Sequence, residues 1–152
     1  MEGSERLQMQ RELIEFIGRN SEKDEGIQPV AARIMALLMV MDKEEYLFDE
    51  IVTEMQISKG AVSTSLKNLE LRGIVEYVTH PGDRKKYYRI ISKDVKTMIG
   101  EAERRIKQRI DIIDQIVSLK TDQNSRNVEL LKNISEGLKF FILKAEEFKN
   151  SI

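Results

Sequence analysis

The chain has 152 residues, 41% of them hydrophobic and 34% charged, and a net charge of −1. That suffices for one compact domain extended by a dimerisation element, and no apolar run approaches the roughly 20 residues a membrane helix needs. With no cysteine and a single histidine, there is no disulfide frame, zinc ribbon or thiol nucleophile and no basis for a His-based metal site or triad, so no enzyme, metal or cofactor is expected.

Met1 to Gln10 is polar and lacks the basic start and apolar stretch of a signal peptide, so a cytoplasmic location is expected. From about Arg6 to Arg19, Leu7, Leu13, Ile14, Phe16 and Ile17 fall close to the spacing of an amphipathic helix. Asn20 to Gly26 reads as a loop. Pro29 suits the first turn of a second helix, and Val30 to Met41 is apolar nearly all round, which predicts the buried centre of the domain. Asp42 to Glu45 ends that helix, and a short one follows from about Phe48 to Met55. After a break at Gln56 and Ile57, Ser58 is a good N-cap for a helix whose inward stripe is Val62, Leu66 and Leu69.

Gly73 stands where that helix needs a left-handed residue to stop, and Ile74 to Val78 switches to strand composition. His80-Pro81-Gly82-Asp83 is a turn signal, and Lys86 to Ile91 resembles a return strand. The order is thus helix, turn, helix, then a hairpin with a basic tip. From Lys93 to about Leu119 apolar residues recur at helical spacing, from Val95 and Met98 to Ile113 and Val117. Beyond a polar break at Lys120 to Arg126, Leu131, Ile134, Leu138, Phe141, Ala145 and Phe148 alternate steps of three and four, the seam of a helix-to-helix contact.

Charge is distributed unevenly. Between Ser58 and Arg89 seven bases face three acids, a net +4 that leaves −5 on the remainder. This hints at a local anion-binding face. On the outward side of the capped helix stand Ser58, Lys59, Gly60, Ser63, Thr64, Lys67 and Asn68, short near the N-terminus and cationic further on. Such a face lets the backbone approach a phosphate while hydroxyls and amides meet base edges, and the helix N-terminus itself attracts anions. At the hairpin tip, Asp83, Arg84, Lys85 and Lys86 would project cations beside the docked helix, where an Arg can enter a narrow minor groove. The plain alternative is a solvated helix face and a turn that keeps the hairpin soluble.

The order of elements and the stretch ISKGAVSTSLKNLELRGIVEYVTHPGDRKKYY, Ile57 to Tyr88, resemble the winged helix-turn-helix of MarR-type regulators, and most closely the GbsR-like branch with its S-K-G-A-V-S recognition helix and G-D-R-K wing. The resemblance implies a mainly α fold with a small β-hairpin wing, flanked by N- and C-terminal dimerisation helices. It places an N-terminal helix and loop at residues 1–27, the DNA-binding domain at 28–92 and a helical dimerisation region at 93–152. It further implies a homodimeric repressor on a pseudo-palindromic double-stranded DNA operator. Ser58, Lys59, Gly60, Ser63, Thr64 and Lys67 would then lie near bases and phosphates, Asp83 would be structural, and Arg84 would reach the minor groove. By the same analogy, a small-molecule effector of unknown identity would bind where the N-terminal, central and long C-terminal helices meet.

A dimer is also expected without the family, because one winged helix reads too few base pairs and two copies about 34 Å apart would read two successive major-groove faces. Leu13 and Ile17 on the first helix and Leu131, Ile134, Leu138, Phe141 and Phe148 on the last are its candidate interface residues. Other signals are weighed down. The methionines read as core filler. Tyr77, Tyr87 and Tyr88 read as cross-strand packing rather than as a cage for a quaternary ammonium. Glu44-Glu45 and Glu146-Glu147 read as diverging carboxylates on exposed helices, giving no acid/base dyad. The competing reading from another class is a winged-helix module that binds an acidic protein through the same face, without specific DNA binding.

Overall fold

A helix that is apolar nearly all round can only sit where other elements surround it. In the computed structural model, which describes residues 2–152, that helix is Pro29–Val40 (α2), with proline in its first turn and Ala32, Ile34 and Ala36 at zero exposure. Around it a first compact unit closes at Ser92, and a second begins at Lys93.

The N-terminal helix Gly3–Glu25 (α1) packs on α2 through Ile14 and Gly18, with the Arg33 side chain lying across Gly18 and donating from Nε to Glu15 at 3.2 Å. It outruns the expected span at both ends, and the segment from Asn20 to Glu25 is helix rather than loop. Those residues are polar but contain no breaker. Asn20 donates to the Phe16 carbonyl at 2.8 Å, and the helix stops only at Gly26, whose φ of 67° is left-handed.

After α2 the chain forms a two-residue strand, Tyr46–Leu47 (β1), then the helices Phe48–Met55 (α3) and Lys59–Leu71 (α4). Gln56 takes a left-handed φ of 53° to end α3 and turn the chain toward α4. The hairpin strands are Val75–Val78 (β2) and Tyr87–Ile90 (β3), each slightly shorter than expected. They join β1 in an antiparallel sheet of order β1-β3-β2, with Tyr46 opposite Tyr88 and Tyr77 opposite the same Tyr88 across the other edge. Sequence reading misses β1, since two residues carry no measurable period. Tyr46 is nevertheless 4% exposed and belongs to the core.

The second unit is a pair of long helices, Val95–Leu119 (α5) and Arg126–Ser151 (α6), whose N-termini are capped by Asp94 accepting from the Thr97 amide at 2.7 Å and Ser125 accepting from the Val128 amide at 3.3 Å. Ser135 donates to Asp114, and Lys149 pairs with the buried Glu103, so the helices run antiparallel. The stripe expected on α6 divides in two. Leu131, Leu138 and Ala145 are half-buried along a seam that continues through Val128, Ser135 and Ile142, whereas Ile134, Phe141 and Phe148 remain exposed. Among the described residues no helix is long and apolar enough to cross a membrane.

Leu69, fully buried under α4, tests how far this core holds the outward helix. Leu69→Ala is expected to lower unfolding free energy by about 2–5 kcal/mol, measured by chemical denaturation.

Candidate nucleic-acid interface

Helix α4 meets two different environments. Val62, Leu66 and Leu69 are buried, and Ser65 with them, at 9% exposure or less. On the opposite side Ser58, Lys59, Gly60, Ser63, Thr64, Lys67 and Asn68 are all exposed, as expected from the sequence. The helix starts where Ser58, in extended conformation, accepts a hydrogen bond at Oγ from the Ala61 amide at 3.1 Å. No acidic residue stands in its first turn, so the positive end of the helix dipole is uncompensated. A Cβ at Gly60 would meet nothing within 4 Å. Internal packing therefore does not require glycine there, and the bare backbone is open to whatever approaches from outside.

The hairpin tip is built by polar contacts. Asp83 N–H donates to the His80 carbonyl at 3.0 Å across Pro81 and Gly82, the latter with φ 79°, which are the residue choices of a type II turn. The Asp83 carboxylate then accepts twice, from the Lys85 amide at 2.8 Å and from the Tyr87 hydroxyl at 2.6 Å. The His80 ring stacks edge-on against Tyr87, with centroids 4.7 Å apart, and its Nε2 lies 2.7 Å from Glu45. Asp83 is thus folded into the loop, while Arg84, Lys85 and Lys86 remain exposed. Among the described residues Arg84 and Lys85 have no ion-pair partner, and Lys86 rests its ammonium over the Tyr77 ring at 4.3 Å.

Not all of the seven bases between Ser58 and Arg89 face outward. Arg89 is spent inside the sheet, reaching Glu76 at 3.3 Å and Glu45 at 3.5 Å, and Arg72 donates to backbone carbonyls of the first unit. The cations left facing outward are Lys59 and Lys67 on the helix and Arg84, Lys85 and Lys86 on the wing. Glu45 differs from the sequence expectation as well. It lies in the segment before β1, not on an exposed helix, and ties the wing base to the sheet through His80 and Arg89. Neither Glu45 nor Tyr87 stands out in the sequence as part of the site, since their partners are 35 and 4 residues away and only the hairpin register brings them together. The tyrosines pair across strands, Tyr77 and Tyr88 edge-to-face at 6.2 Å.

A short helix, a tight turn, a second helix with a free polar face and a hairpin wing behind it make a winged helix-turn-helix. The segment that carries these elements, residues 25–86, matches the model of the MarR family. Over 91 residues the chain is 25% identical to the HTH-type transcriptional regulator MmpR5 of Mycobacterium tuberculosis (strain ATCC 25618 / H37Rv), a stretch covering 59% of this chain and 55% of that one. The match thus spans about half the length of that curated relative. A transcriptional regulator of known crystal structure superposes with a TM-score of 0.71 at 22% identity, over 91% of this chain and 93% of that one, which establishes the shared fold.

The Asp83 carboxyl is held below its ordinary value, chiefly by the Tyr87 hydroxyl and next by the Lys85 amide. Because the folded-state pKa is lowered, the order this carboxylate brings to the wing is complete above the unfolded carboxylate value and is lost only as pH falls through the lowered one. Tyr87→Phe is expected to shift the Asp83 titration back up toward the ordinary carboxylate range, as followed by the NMR shift of its carboxyl carbon against pH.

Proposed function

We propose that this protein is a sequence-specific DNA-binding transcriptional regulator of the MarR type, acting as a homodimeric repressor. The observation that carries the reading is the uncommitted polar face of α4 together with three exposed wing cations on the hairpin that follows it, on an otherwise acidic chain. In this reading Ser63, Thr64 and Asn68 meet base edges in the major groove, and Lys59 and Lys67 meet phosphates. The bare backbone at Gly60 approaches the phosphate chain, and Arg84 reaches the adjacent minor groove. The relatives described as transcriptional regulators support DNA-binding control as the general role. The S-K-G-A-V-S helix start and the G-D-R-K tip are what favour the GbsR-like branch.

Homodimerisation is supported by apolar surface that each unit leaves uncovered. On α1, Met9, Leu13 and Phe16 are 47–57% exposed, and on α6 Ile134, Phe141 and Phe148 are 42–62% exposed. Apolar faces of this extent on a small protein mark an association surface. Ile17, expected among the interface residues, is half-buried against the core of its own unit. Control by a small molecule would act by changing the distance between the two recognition helices, so a half-site spacing that stays the same with every effector tried rules it out.

Purified protein titrated against mixed-sequence duplex DNA should show log affinity falling steeply and linearly with log salt, with a slope of several phosphate contacts. Arg84→Ala should reduce that slope by about one contact while keeping sequence preference, whereas Ser63→Ala or Thr64→Ala should alter the preference. No binding at low salt would favour the protein-binding module instead. Leu13→Glu combined with Phe141→Glu is expected to convert the dimer to monomer in sedimentation equilibrium, and a wild-type monomer at micromolar concentration would overturn the dimer.

A further inference from the structure

We infer that Arg72 is a positioning residue that clamps the end of the recognition helix to the end of α1, and that it makes no DNA contact of its own. The inference rests on the DNA-binding reading of α4. Arg72 caps α4 with its amide donating to the Asn68 carbonyl at 3.1 Å. Gly73, at φ 70°, and Ile74 then donate back to Glu70 and Leu69, both at 3.0 Å, so the helix end from which the guanidinium departs is rigid.

From that end the two terminal nitrogens of Arg72 reach carbonyls 46 and 47 residues away. Nη1 donates to Gly26 and Nη2 to Glu25, each at 3.3 Å. The Glu25 oxygen is the last of α1 and the Gly26 oxygen belongs to its cap, at the negative end of the helix dipole, where carbonyls have no intrahelical donor. A planar fork on two adjacent acceptors fixes an angle as well as a distance, which a lysine ammonium cannot do. Burial of Val62, Leu66 and Leu69 fixes where α4 lies on the core, and the fork adds a second, directional restraint at its C-terminal end. The fork therefore restrains the tilt at which α4 presents Ser63, Thr64 and Lys67. It also links that tilt to α1, whose exposed Met9, Leu13 and Phe16 form a face that another molecule can cover.

The test compares wild type, Arg72→Ala and Arg72→Lys in salt titrations against mixed-sequence duplex DNA, with amide hydrogen exchange on the free proteins. Arg72→Lys keeps the charge and the aliphatic stem, so it reports even where the alanine variant folds poorly. Affinity is expected to drop roughly three- to tenfold in both variants, as for the loss of an exposed charge-assisted hydrogen-bond pair, with the salt slope unchanged. Exchange should speed up at Gly26 and Ile27 and in the last turn of α4. A slope lower by about one contact in Arg72→Ala would mean that Arg72 touches phosphate, and unchanged affinity or unchanged exchange would mean that the fork holds nothing; either result overturns the inference. If the wild type binds no DNA, the DNA-binding reading fails separately, and the clamp is judged by the exchange data alone.

Discussion

Everything proposed for this protein depends on one constraint: α4 must be anchored firmly on one side so that its other side can stay empty. Three apolar side chains, Val62, Leu66 and Leu69, are removed from water almost completely against a central helix that is itself apolar nearly all round. Burial on that scale secures the helix without using any of its outward polar groups. No acidic side chain stands in its first turn, Ser58 caps it, and the positive helix end stays open to an external anion.

The wing works by a different economy. A four-residue pair of strands has little apolar area to hold its tip, and the tip is ordered instead by polar contacts converging on Asp83, Tyr87 and His80. Glu45 extends this network into the sheet, so the third strand, short as it is, fixes the base of the wing. Arg89 and Arg72 show that cationic character alone does not identify a contact surface. Both are charged and partly exposed, yet each is already directed at an internal acceptor. Which cations remain free is a property of the folded arrangement, and between Ser58 and Arg89 those that do remain stand on the outward face of α4 and on the wing loop.

The second unit illustrates the same division between pattern and geometry. A helix of 26 residues can present apolar side chains to more than one neighbour, and a three-and-four repeat does not say which. In the folded hairpin Leu131, Leu138 and Ala145 line the half-buried seam, while Ile134, Phe141 and Phe148, one position away in the repeat, are left facing outward. Between the two helices Glu103 is 4% exposed, with the Lys149 ammonium, itself partly exposed, as its counter-charge, a pair better suited to fixing helix register than to adding stability.

Much of the fold and of the candidate site was determined by the sequence alone, because the signals involved are local. Pro29 in a first turn, Ser58 as a cap, Gly73 as a stop and Pro81-Gly82 in a turn each act through the backbone of their own neighbours. The apolar stripe of α4 likewise implies its polar face by helical geometry. Only the tertiary structure decided the strand at Tyr46–Leu47, the role of Glu45, the engagement of Arg89 and the reach of Arg72 to Glu25 and Gly26. Those contacts join residues 35 to 47 positions apart in all but the Glu76–Arg89 pair, and no periodicity or composition encodes where two such distant segments meet. That is settled by how the helices pack, and packing depends on the whole set of buried side chains at once.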